Sequence, residues 1–183
     1  MRAAVAAALL QLGGFAALGV IASSCAAADT MSITSIPDSN SFITNDVSLF
    51  MERRCGSLDC HGQTGRPMRL YSVWGLRLDT GTNGARDTSA TTDKERLENY
   101  KAVIGLEPER LQEIFTTPSG TAPNFDNYQL LLKPLDIVGG GVRHKGGPVL
   151  RQTTSDDGWV CLSGWVTKNA DKVACDNAAN ITQ

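Results

Sequence analysis

The sequence predicts a small, mainly α-helical domain with long loops and one short β-hairpin. Apolar residues recur at helical spacing in several short segments, and helix-capping residues precede those segments. Stretches rich in Gly, Pro, Ser and Thr separate them, which is typical of loops. The chain has 183 residues, so removal of an N-terminal leader leaves the length of one ordinary domain.

Residues 1–24 have the composition of a secretory signal peptide of the lipoprotein type. A short basic start precedes a run rich in Ala and Leu, and small residues at 22–24 lead to Cys25. This pattern resembles the bacterial lipoprotein box, in which the cysteine is lipidated and becomes the first mature residue. We expect an exported protein, periplasmic or in the cell envelope and anchored to a bacterial membrane through Cys25. Ordinary cleavage after Ala26 or Ala28 is the alternative.

The segment after the predicted anchor is small and polar. Residues 25–41 therefore predict a flexible tether, and residues 42–183 predict the folded domain. The chain carries 17 basic and 19 acidic residues, with a formal net charge of −2. Such a balance offers no basic stripe, so we expect no nucleic-acid partner.

The first predicted helix spans about residues 45–54. Asn45 is its predicted cap, and Val47, Phe50 and Met51 recur at helical spacing. It should end at Cys55. Alternating apolar and polar residues at 68–70 and 75–79 then predict a short hairpin.

Further helices follow a loop at residues 80–92. Asp93 is the predicted cap of a helix that runs through Ile104, and Pro108 opens the next helix. Residues 128–132 predict a short helical or irregular run. A last helix is expected to start near Ser155. Its predicted apolar face consists of Trp159, Leu162, Trp165 and Val166.

Cys55, Cys60 and His61 form the most informative motif of the chain. Two thiols just before a histidine can hold a haem covalently, since the thiols add to its vinyl groups and the imidazole binds its iron. The usual spacing is Cys-x-x-Cys-His, but four residues separate these two cysteines. A Cys55–Cys60 disulfide, a pair of free thiols, or a zinc site completed by His144 are the alternatives.

The other two cysteines, Cys161 and Cys175, lie near the C-terminus. In an oxidising compartment they can form a disulfide that clips a terminal segment back onto a helix. Closing a loop of this length contributes about 3 kcal/mol in the chain-entropy model.

Five short segments occur in an order that resembles one known family. Their sequences are Arg-Cys-Gly-Ser-Leu-Asp-Cys-His-Gly, Gly-Leu-Arg-Leu-Asp, Leu-Leu-Leu-Lys-Pro, Gly-Val-Arg-His-Lys-Gly-Gly and Trp-Val. Together they look like the cytochrome c-like domains of bacterial exported proteins and lipoproteins, including the planctomycete-type cytochrome c group. The resemblance covers about residues 45–170 and departs from the family in its wider cysteine spacing.

The resemblance implies a c-type haem and electron transfer. Cys55 and Cys60 would form the thioethers, and His61 would be the proximal iron ligand. We expect His144, in a glycine-rich loop, to be the sixth ligand, although Met68 is the ligand type of typical class I cytochromes. Two imidazoles favour a lower potential than a His/Met pair.

No arrangement typical of an enzyme stands out, so we expect an electron carrier with a redox partner protein of unknown identity. The alternative function is a haemless structural or binding lipoprotein of the same fold. That protein would be stapled by Cys55–Cys60 and Cys161–Cys175 disulfides.

Overall fold

The computed structural model describes residues 32–78, 89–152 and 155–181. The predicted signal peptide and Cys25 lie outside these ranges. In the described residues the chain is mainly helical, without a β-sheet, which confirms the predicted fold class. The helices are α1 (Ser39–Thr44), α2 (Val47–Arg54), α3 (Asp93–Ile104), α4 (Pro108–Phe115), α5 (Gln129–Leu132), α6 (Asp157–Val166) and α7 (Lys172–Asn180), with a 3-10 turn at Ile137–Gly139.

The first predicted helix, at about residues 45–54, corresponds to α2, and the short helix α1 precedes it without having been predicted. Asp38 caps α1, because its carboxylate accepts a hydrogen bond from the Ser41 N–H at 2.8 Å. Asn45 follows α1 instead of capping α2, so its predicted role is wrong. Asp46, directly before α2, adopts a left-handed conformation with φ of 60°, which Asp tolerates better than most residues and which separates the two helices.

The predicted tether is packed over its last part. Backbone N–H groups of Thr34 and Ser35 donate to the Gln112 side chain on α4, at 2.7 and 3.0 Å. The Tyr100 hydroxyl donates to the Pro37 carbonyl at 2.7 Å. Residues 34–41 therefore belong to the folded domain.

The predicted hairpin does not form over the described residues 68–78. Tyr71 and Leu76 make one isolated bridge. The backbone of Tyr71 pairs instead with the Asn99 side chain on α3: its N–H donates to Oδ1 at 2.6 Å, and Nδ2 donates to its carbonyl at 2.9 Å. A buried side-chain amide thus takes the place of a second strand.

The core lies where α2 packs against α6 and α7. Asp156 caps α6 by accepting from the N–H groups of Gly158 and Trp159. The predicted apolar face of this helix, namely Trp159, Leu162, Trp165 and Val166, is buried. Cys161 and Cys175 form a disulfide that joins α6 to α7, a helix that the sequence pattern did not predict.

A buried ion pair ties the start of α3 to the segment before it. Thr92, not the predicted Asp93, is the N-cap and forms a capping box with Glu95. The Arg77 guanidinium donates to both Glu95 carboxylate oxygens at 2.8 and 2.9 Å, and the Leu78 N–H donates at 2.9 Å. Burial alone would raise the pKa of Glu95, but these hydrogen bonds lower it to about 2.

We expect Glu95 to contribute to stability above about pH 4.5 and to lose that contribution as the pH falls through its folded pKa of about 2. Glu95→Gln removes the charge of this carboxylate from beside the buried Arg77 guanidinium. Its free energy of unfolding should fall by about 3 kcal/mol at pH 7. Urea denaturation at pH 7 and pH 3 measures this. The control is Glu98→Gln, which removes a more exposed ion pair with Lys101, and an equal loss in both variants would contradict the account.

Candidate functional site

The segment that carries the cysteines and His61 folds into a closed turn at the end of α2. Cys55 follows the helix, and its N–H donates to the Met51 carbonyl at 2.9 Å. The His61 N–H donates back to the Cys55 carbonyl at 2.9 Å, and the Gly62 N–H donates to the Ser57 carbonyl at 2.8 Å. The turn absorbs the four residues between the cysteines, so His61 returns to the side of Cys55.

Three glycines hold this turn against the segment that follows it. A Cβ on Gly62 would lie 2.0 Å from the Gly56 carbonyl oxygen, and a Cβ on Gly75 would lie 2.1 Å from the same atom. The Leu76 N–H donates to the Gly62 carbonyl at 2.7 Å, and the Ser72 hydroxyl donates to the Gly56 carbonyl at 2.6 Å. Only glycine fits at positions 62 and 75 without moving the backbone.

The two motif thiols have different surroundings and are not bonded to each other. Cys55 is buried and Cys60 is half-buried. Burial and, to a smaller extent, the neighbouring Cys60 raise the pKa of Cys55 to about 12, although Arg54 offsets part of their effect. The structure therefore does not contain the Cys55–Cys60 disulfide of the alternative function. A buried neutral thiol is also unsuited to nucleophilic catalysis.

His61 and His144 lie side by side, although they are far apart in the sequence. Their ring centroids are 6.0 Å apart and their planes are inclined by 22°. Gly146 connects the pair to Cys60, because a Cβ on it would lie 3.5 Å from His144 Cε1 and 3.8 Å from Cys60 Sγ. The structure thus brings Cys60, His61 and His144 into one cluster, with Cys55 at the buried end of the turn.

The protein engages one nitrogen of the His144 ring. His144 Nδ1 lies 3.2 Å from the Gly147 carbonyl. Since a carbonyl can only accept, Nδ1 carries the proton and Nε2 keeps its lone pair in the neutral ring. Nε2 of His144 is therefore the nitrogen left for an external group, an arrangement typical of metal-binding histidines. His61 Nδ1 is buried and has no hydrogen-bond partner of good geometry among the described residues.

The electrostatics of His61 favour the neutral ring. Burial lowers its pKa, the backbone of Met68 offsets part of this effect, and the nearby His144 and Arg66 lower the pKa further. A neutral imidazole is the form that binds a metal. The Met68 side chain itself is buried in the core, which disfavours it as the sixth ligand.

Zinc and haem require different numbers of ligands from the protein. In the described part of the chain, no three His, Cys, Asp or Glu side chains are placed to hold a metal ion, which argues against the zinc alternative. Haem supplies four ligands of its own and needs only two from the protein. His61 and His144, whose ring centroids lie 6.0 Å apart, are the two residues that could hold its iron.

Sequence reasoning did not assign a role to Gly56 or Gly75. Gly75 opens the Gly-Leu-Arg-Leu-Asp segment, and Gly62 directly follows the motif histidine. The available signal was that each of these two segments has a glycine at one end. This signal does not reveal which backbone atoms approach each other, so the contact could not be derived without coordinates.

Comparisons with known proteins identify no relative. No family model, no curated protein and no solved structure matches the chain. In the residues that the structure describes, no helix has the length and apolar character needed to cross a bilayer.

We expect Gly62→Ala to destabilise the fold, because the new Cβ would overlap the Gly56 carbonyl. The free energy of unfolding should fall by about 3 kcal/mol, which is typical of a backbone shift forced by overpacking. Urea denaturation measures the loss. The matched control is Gly146→Ala, whose Cβ would make only ordinary contacts at 3.5 Å and beyond. Equal stability of the two variants would show that the glycine contact does not constrain the turn.

Proposed function

We propose that the protein is an exported, lipid-anchored electron carrier with a cytochrome c-like helical domain that binds one covalent haem. The observation that carries this proposal is the separation of 6.0 Å between the His61 and His144 rings, next to Cys60. Two imidazoles at this spacing could both bind the iron of one haem.

Each residue of the cluster has a defined role in this proposal. Cys55 and Cys60 would hold haem through thioether bonds, and His61 and His144 would bind its iron. When bound, haem supplies one-electron redox chemistry. The Gly147 carbonyl orients the His144 ring and fixes its tautomer. Electron transfer then needs no substrate bond, and the protein sets the potential and the access to the iron.

The burial of Cys55 implies an order for haem attachment and folding. Its side chain is part of the hydrophobic core in the folded chain, and its residue is only 9% exposed. A thiol in that position reaches a haem vinyl group only while the turn is open. We therefore expect haem attachment to precede the final packing of the turn against residues 72–76.

The direct test is the spectrum of protein that has been exported together with a haem-attachment system. The wild-type chain should show a pyridine haemochrome band that stays with the polypeptide under denaturing conditions. His61→Ala and the double variant Cys55→Ala/Cys60→Ala should lose it, whereas the surface variant Lys145→Ala should keep it. A wild-type chain without the band would contradict the proposal and favour the haemless lipoprotein.

We expect His144→Met to raise the reduction potential by about 0.1 V, because a thioether stabilises ferric iron less than an imidazole does. Lys145→Met places the same side chain one residue away and should leave the potential unchanged. Spectroelectrochemical titration measures both variants. An unchanged potential in His144→Met would exclude His144 as the sixth ligand.

A further inference from the structure

We infer that residues 133–151 form a docking lobe that binds an anionic lipid surface. The lobe combines an aliphatic tip with four exposed cations. Its action does not depend on haem, so it goes beyond the electron-carrier proposal. It would add a second contact with the membrane to the predicted lipid anchor at Cys25.

The two ends of the docking lobe are tied together, so its tip is presented by a fixed base. The N–H groups of Val149 and Leu150 donate to the Pro134 carbonyl at 2.8 and 2.9 Å. The Asp136 N–H donates to the Leu150 carbonyl at 2.8 Å, which closes the base. The lobe therefore projects as a folded-back loop after α5.

The tip of the lobe is aliphatic and exposed. Ile137 is 67% exposed and Val138 is 96% exposed, the highest value among the large apolar residues of the described chain. The Asp136 carboxylate accepts from the Val138 N–H at 2.9 Å, and Gly140 ends the turn with φ of 95°. The local structure thus holds two aliphatic side chains in water, although burial of each would be favourable.

Four cations occur in the same lobe as this tip. They are Lys133, Arg143, Lys145 and Arg151, all exposed. Lys133 Nζ donates to the Arg143 carbonyl at 3.1 Å, and a Cβ on Gly139 would lie 2.8 Å from the Arg151 carbonyl oxygen, so these parts of the lobe are neighbours. No ion pair involves any of the four within the described residues.

The charge of the lobe is opposite in sign to that of the protein. The only acidic residue within 133–151 is Asp136, whereas the whole chain has a net charge of −2. The nearby Asp156 accepts from the Arg151 N–H at 2.9 Å and from the first N–H groups of α6. Both carboxylates thus cap backbone groups. The cations are left to meet an anionic surface.

The chemistry favours a lipid surface over an acidic protein. Protein interfaces depend mainly on aromatic and arginine anchors in packed pockets, and valine is under-represented there. Aliphatic side chains in front of several cations match the pattern of segments that enter the headgroup region of anionic bilayers. Docking would also hold the His61–His144 pair close to the membrane surface.

The test uses the predicted mature chain, residues 25–183, with Cys25→Ser, which lacks the apolar leader and cannot be lipidated, and measures co-sedimentation with vesicles. We expect binding to vesicles of phosphatidylcholine and phosphatidylglycerol in equal amounts, and no binding to phosphatidylcholine alone. Added salt should weaken the binding. Lys133→Gln and Arg151→Gln should each reduce affinity about fivefold. Val138→Asp should reduce it about tenfold by removing the aliphatic tip.

Two matched variants control for charge and for apolar exposure elsewhere. Lys94→Gln removes an exposed cation on α3, and Val173→Asp changes an aliphatic residue that is 70% exposed on α7. Neither should alter binding. Equal binding to both vesicle types, or lobe variants that behave like these controls, would overturn the inference. Binding to polyglutamate without binding to the anionic vesicles would also overturn it and would indicate an acidic protein partner.

Discussion

The close approach of Gly62 and Gly75 to the Gly56 carbonyl is the constraint on which the candidate site depends. This contact presses the cysteine-containing turn against the segment that follows it. That segment is held by α3, because the Asn99 side-chain amide pairs with the backbone of Tyr71 and the Glu95 carboxylate accepts from Arg77. The position of His61 therefore depends on side chains of α3 that do not touch it.

Because the Glu95 carboxylate is buried and ionised, this support is electrostatic as well as steric.

Much of the helical architecture follows from local signals. Pro108 at the start of α4 and the apolar spacing of α6 predict those helices, because caps and burial agree there. The left-handed conformation of Asp46, between α1 and α2, could not be predicted, because tertiary packing and not the local apolar repeat determines it. The helix α7 lacks a strong apolar pattern, and its small residues are buried because α2 and α6 lie against it.

The candidate site shows a similar division between what sequence and coordinates reveal. Residue types alone indicated Cys55, Cys60, His61 and His144 as candidate haem-binding residues, because the chain has only 2 histidines and 5 cysteines. The proximity of His144 to His61 could not be predicted from the sequence, because it depends on how the loop after α5 folds back on itself. The same loop carries the cations and the aliphatic tip of the docking lobe, so the proposed ligand and the proposed membrane contact are built from one segment.

Intact mass under denaturing conditions, measured on exported protein after reduction and alkylation, tests the central claim most directly. The account predicts a polypeptide that carries the mass of one haem, with Cys55 and Cys60 blocked and Cys161 and Cys175 alkylated after reduction of their disulfide. A polypeptide without the haem mass, in which all four of these cysteines become alkylated, would contradict it.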